Sequence, residues 1–105
     1  MSFLTFYITH ANEAEAKKLS DQLIEEKLVA CANLFPIQSA YRWKGEVVNE
    51  AEWVSLVKTS KAMGRRVEAR VLELHPYETP CIMRTEVAAN EAYERWIEDV
   101  VKESP

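Results

Sequence analysis

The chain has 105 residues, 48% hydrophobic and 29% charged, a size and balance that fit one globular domain over residues 1–105 and exclude a disordered polymer. Seventeen acidic against thirteen basic side chains leave a formal charge of -4, which opposes the counterion release behind nonspecific nucleic-acid binding. No apolar run approaches the ~20 residues of a membrane span and the first residues carry no basic leader, so the expectation is a cytoplasmic protein that engages neither membrane nor nucleic acid.

Residues 3–9 are β-branched and aromatic and predict a first strand, which ends at His10-Ala11-Asn12. Asn12 is placed to cap a helix, with Glu15 completing a capping box. In that helix Ala16, Leu19, Leu23 and Ile24 recur at helical spacing and should face a sheet. Residues 29–43 are extended, with Pro36 suiting an edge strand, and Lys44-Gly45 supplies a turn into a returning strand over residues 52–59.

Ser60 is expected to cap a second helix, in which Met63, Val67, Val71 and Leu74 form the apolar face and which ends before His75-Pro76. A loop follows over residues 77–80, then a fourth strand over 81–87. Asn90 is expected to cap a third helix, with Tyr93, Trp96, Ile97, Val100 and Val101 as its apolar stripe. The basic run Gly64-Arg65-Arg66, soon followed by Glu68 and Arg70, reads as a solvated helix face. Only the extreme C-terminus is expected to be loose.

The order β-α-β-β-α-β-α is an α+β, ferredoxin-like antiparallel sheet with helices on one face and a C-terminal third helix. Two glycines in the whole chain exclude a phosphate-cradling loop. The hairpin carries Tyr41, Trp43 and Trp53, more aromatic surface than one layer of helices covers, and predicts pairing with further copies of the chain.

Chemistry-bearing side chains concentrate after the second helix. His75, Glu78 and Cys81 lie within seven positions, and Cys31 opens the neighbouring extended segment. Sulfur, nitrogen and oxygen donors together suit zinc or copper, although the spacing matches no standard structural zinc pattern. A Cys31–His75 nucleophilic pair lacks an orienting third group and an oxyanion hole, and Ala30 and Ala32 around Cys31 suit a packed strand, so no enzyme activity is expected. Tyr41, Trp43, Lys58 and Tyr77 are candidates to line a cleft in which a cation among aromatic faces receives an anionic small molecule.

Several strings resemble the CutA divalent-cation-tolerance family: Leu28-Val29-Ala30-Cys31-Ala32-Asn33, Tyr41-Arg42-Trp43-Lys44-Gly45-Glu46, Lys58-Thr59 and His75-Pro76-Tyr77-Glu78-Thr79-Pro80, followed by Asn90, Tyr93 and Trp96. The resemblance implies a ferredoxin-like homotrimer architecturally similar to the PII signalling proteins. It also implies tolerance of divalent cations, with copper(II) or another divalent metal as ligand but no obligatory cofactor, and Cys31, His75 and Glu78 as the matching metal ligands. Cys81 departs from the acidic residue that the family pattern often carries after Pro80.

Overall fold

The computed structural model describes residues 2–101; the C-terminal residues 102–105, expected to be loose, lie outside them. Four strands, β1 (Phe3–His10), β2 (Cys31–Trp43), β3 (Glu46–Thr59) and β4 (Ile82–Val87), form one antiparallel sheet in the order β2-β3-β1-β4. Helices α1 (Glu13–Glu25), α2 (Gly64–Leu74) and α3 (Glu91–Val100) complete the β-α-β-β-α-β-α order. The expected ferredoxin-like topology is therefore present.

Alternation along β1 sorts the sheet into two faces. Leu4, Phe6, Ile8 and His10 are buried beneath α1 and α2 together with Leu19, Leu23, Val57, Val67 and Val71, whereas Thr5, Tyr7 and Thr9 are half-buried on the opposite face. Pairing of Tyr7 with Leu56 and of Thr9 with Val54 carries that open face onto β3, and pairing of Phe35 with Val54 carries it onto β2.

Local chemistry accounts for most element ends. The backbone amide of Glu15 donates to Asn12 Oδ1 at 2.9 Å, the cap of α1. The helix closes with Lys27 at φ 61° and with the Leu28 amide on the Leu23 carbonyl, an αL termination in which lysine occupies the position glycine usually takes. Lys44 (φ 49°) and Gly45 (φ 83°) make the two-residue turn between β2 and β3, both in the left-handed conformation a tight hairpin requires. Pro36 sits opposite Trp53 within an unbroken β2, tolerated because β2 is the sheet's edge.

Several expectations give way to packing. The returning strand begins at Glu46 and not at residue 52, so the hairpin is longer than its periodicity suggested. Ser60 makes no side-chain cap; a short 3-10 turn, Lys61–Met63, leads into α2. A Cβ on Gly64 would lie 2.8 Å from Leu4 Cδ1, so the start of α2 packs against β1 where a larger residue would crowd it. Asn90 likewise makes no side-chain cap; the buried Glu94 instead accepts from the Ala89 amide at 2.9 Å. Ile24 and Trp96, expected in the apolar stripes, are 41% and 43% exposed.

Helix α3 does not simply extend the α1–α2 layer. Its Tyr93 ring packs edge-on against Phe3 and its hydroxyl lies 3.4 Å from Cys31 Sγ, on the open side of the sheet. Val101, just past its end, lies by Ser60 and Met63. The upper part of the open face therefore stays uncovered in the single chain, with Phe35, Tyr41, Trp43 and Met83 exposed on it.

Candidate functional site

The loop over residues 75–81 runs around the end of the sheet, from the helix-covered face to the open face. It is anchored by His75, whose backbone amide closes the last turn of α2 on the Val71 carbonyl at 2.8 Å. The His75 ring is buried and stacks on His10 with centroids 5.1 Å apart. Its Nε2 lies 2.7 Å from the Thr9 carbonyl oxygen and its Nδ1 3.2 Å from the Tyr77 amide. A carbonyl only accepts and an amide N–H only donates, so Nε2 carries the proton and Nδ1 is the acceptor. Both ring nitrogens are thus committed to backbone.

Beyond His75 the chain reaches a cleft of about 820 Å³ on the open face. It is lined by Tyr7 and Thr9 of β1, Tyr41 and Trp43 of β2, Glu50 and Glu52 of β3, and Tyr77, Glu78, Thr79 and Cys81 of the loop. Tyr77 Oη donates to Glu52 Oε2 at 2.7 Å, and Tyr41 Oη donates to Glu50 Oε1 at 2.5 Å. Tyr77 packs edge-on against His75 at 4.6 Å, so the buried histidine pair sets the position of one cleft wall.

Electrostatics follow from this lining: three carboxylates and, among the described residues, no lysine or arginine. Burial, followed by the bond to Glu52, raises the Tyr77 hydroxyl well above its ordinary pKa. The bond to Glu50 is the main cause that pushes Tyr41 up to about 12. Burial and then the Glu52 charge raise the Cys81 thiol, which favours the protonated form over the thiolate.

The residues singled out from sequence divide into two groups. Tyr41, Trp43, Tyr77 and Glu78 come together in the cleft. Cys31 and Lys58 do not: they pair with each other across β2 and β3, and Lys58 pairs onward with Thr5. His75 bonds to Thr9, four residues further along β1, about 13 Å at strand spacing. Cys31, His75 and Glu78 therefore do not form one ligand set within the chain, nor do Cys31 and His75 form a nucleophilic pair. Among the described residues no three His, Cys, Asp or Glu side chains converge in a way that would hold a metal ion.

Lys58 instead donates to Asn33 Oδ1 at 2.6 Å and lies 5.7 Å from the centre of the Tyr93 ring. Lys58 stands outside this cleft, whose lining within one chain carries the opposite charge, so an anionic ligand drawn by Lys58 would need a pocket shared between copies. Sequence reasoning missed Glu50 and Glu52. The signal was their i, i+2 spacing in a strand, which puts both carboxylates on the face that carries Tyr41 and Trp43.

Fold and site together define a ferredoxin-like α+β protein with an acidic, aromatic-walled cleft on its open sheet face. Residues 4–100 match the family described as CutA1 divalent ion tolerance protein, and the chain belongs to that family. It is 38% identical over 97 residues to the divalent-cation tolerance protein CutA of Thermotoga maritima, covering 90% of this chain and 95% of that one. Among solved structures it resembles the periplasmic divalent cation tolerance protein CutA of Archaeoglobus fulgidus, with a TM-score of 0.91, 33% identity and coverage of 97% and 100%. It equally resembles the PII-like protein CutA of Nostoc sp. PCC 7120, with a TM-score of 0.88, 34% identity and coverage of 96% and 97%.

Proposed function

We propose that the chain acts as a cytoplasmic homotrimer that binds copper or a similar divalent metal ion at the acidic cleft, in a metal-responsive role. The observation that carries this reading is the lining itself, with Glu50, Glu52, Glu78 and Cys81 facing one space to which the described residues contribute no basic side chain. Carboxylate and sulfur donors suit a divalent transition metal. Glu78 and Cys81 are this chain's contribution, and water or a second copy completes the set, since the described residues of one chain supply no convergent triad. The relatives' description as divalent-cation tolerance proteins supports the same ligand class.

Assembly is supported by the edge strand β2, by the exposed Phe35, Tyr41, Trp43 and Met83 of the open face, and by a long hairpin that gives the chain an extent of 47 Å against 26 and 21 Å. A binding role in place of a catalytic one is supported by the separation of Cys31 from His75.

The test is calorimetric titration of the reduced protein with copper(II) and zinc(II), with the assembly mass recorded. A Glu78→Gln, Cys81→Ser double variant should lose stoichiometric binding, while Cys31→Ser keeps it. Because the Cys81 thiol is raised, coordination must expel its proton, so affinity should strengthen as pH rises. Binding indifferent to the double variant would overturn the assignment. A second reading, a small-molecule binding module of PII-like architecture, is favoured by the volume of the cleft, which far exceeds that of a metal ion.

A further inference from the structure

Among the described residues, two hydrogen bonds hold residues 76–80 to the rest of the chain. The Tyr77 amide donates to His75 Nδ1 at 3.2 Å, and the Tyr77 hydroxyl donates to Glu52 Oε2 at 2.7 Å. The loop that walls the cleft is therefore tied at a single residue, and one of its two ties ends on a titratable ring.

That ring has one place for a second proton. Nε2–H is already committed to the Thr9 carbonyl, so the proton enters at Nδ1, the nitrogen that accepts from the Tyr77 amide. Two donors then face each other and the bond is lost. Neutral His75 ties the loop, and protonated His75 releases it.

The groups around the ring leave this response to His75. From β1, His10 stacks on it with centroids 5.1 Å apart and bonds to Ser55 of β3. The His10 pKa is held at about 4, by burial and then by repulsion from His75, so His10 stays neutral over the range, about pH 5 to 8, in which an imidazole ordinarily changes charge. From α1, Glu15 and Lys18 reach a cavity of about 110 Å³ beside both rings and bring one charge of each sign. Glu52 of β3 is bonded to the far end of Tyr77, and Leu74, the residue before the ring at the end of α2, is apolar. Among the described residues His75 has no carboxylate partner that would accept from a protonated Nδ1 in the closed loop.

We propose that His75 is an acid-released latch on the loop over residues 75–81: a proton on Nδ1 frees the Tyr77 backbone, and with it Glu78, Thr79 and Cys81, while the sheet and helices stay folded. The shape of the cleft thereby responds to pH, whatever the cleft binds. The inference does not rest on the metal reading.

The test is amide hydrogen exchange of the intact metal-free protein by NMR, from about pH 8 to about pH 5, with rates corrected for intrinsic exchange. Ring nitrogen shifts of His75 are followed in the same samples. At the upper end they report a proton on Nε2 and none on Nδ1. As the ring titrates, the protection of the Tyr77 amide falls about tenfold per pH unit, the slope of an opening linked to one proton. The amides of Phe6 and Val57, in the core strands, keep their protection. His75→Asn supplies a side-chain carbonyl to the amide two residues on, the geometry of an Asx turn, and does not titrate, so its Tyr77 protection is flat across the same range.

Unchanged Tyr77 protection while the ring takes up its proton would overturn the proposal, as would a His75 ring that stays neutral throughout. Core amides that lose protection in parallel with Tyr77 would make the event global unfolding and defeat it equally. The same fall in His75→Asn would assign the opening to another group. If that variant does not fold, the wild-type comparison still decides, because the ring titration and the loss of Tyr77 protection must share one midpoint.

Discussion

Replacing His75 with alanine tests whether this residue is a scaffold or a ligand. The ring is buried, donates to the Thr9 carbonyl, accepts from the Tyr77 amide and stacks on His10. Its removal leaves a carbonyl and an amide without partners, at about 1 kcal/mol or more each, and opens a void that adds a similar amount, so about 3 kcal/mol should be lost. The measurement is urea unfolding of the metal-free protein at one fixed protein concentration, because the proposed assembly would make stability concentration-dependent. The variant should also loosen Tyr77, whose ring rests on His75. A loss below about 0.5 kcal/mol, within the range of an ordinary surface substitution, combined with abolished metal binding, would refute the scaffold argument and make the imidazole a ligand.

Two further outcomes follow from buried polar groups under the helices. His10 bonds to Ser55, and its pKa is pulled from 6.5 to about 4, first by burial and then by repulsion from His75. The unfolded chain therefore takes up a proton that the fold excludes: this contribution is intact above pH 6.5 and is lost as pH falls toward 4, by up to about 3 kcal/mol. A His10→Gln variant should flatten that fall in urea midpoints measured across the window, and identical slopes for both proteins would defeat the account. Ser20, buried on α1, has an Oγ without a hydrogen-bond partner among the described residues; Ser20→Ala should raise stability by about 0.5–1 kcal/mol, through relief of that group and better helix propensity. Lower stability of this variant in thermal or chemical unfolding would show that the hydroxyl is satisfied.

The seven elements and their order were legible because they depend on local chemistry. β-branched and aromatic residues mark β1, four-and-three spacing marks α1 and α2, Asn12 and Pro76 bound helices, and Lys44-Gly45 turns the hairpin. Residue strings spread over most of the chain pointed to the CutA family, which the match over residues 4–100 shows. Tyr41, Trp43, Tyr77 and Glu78, which line one cleft, were legible as candidates because they cluster in two short polar and aromatic strings. The caps expected from Ser60 and Asn90 failed because a 3-10 turn and the Glu94 carboxylate took over those ends, an outcome set by where the flanking segments pack.

Which side chains meet was decided by tertiary structure alone. Register sets Cys31 beside Lys58 and leaves it far from Thr9, so a thiol and an imidazole that looked like partners in sequence stand apart. The path of the loop turns His75 inward onto backbone and Glu78 outward into the cleft, where it joins Glu50 and Glu52 from β3. Composition by itself determined a net acidic protein; strand periodicity put Glu50 and Glu52 on one face of β3, and the path of the loop brought Glu78, distant in sequence, to the same cleft.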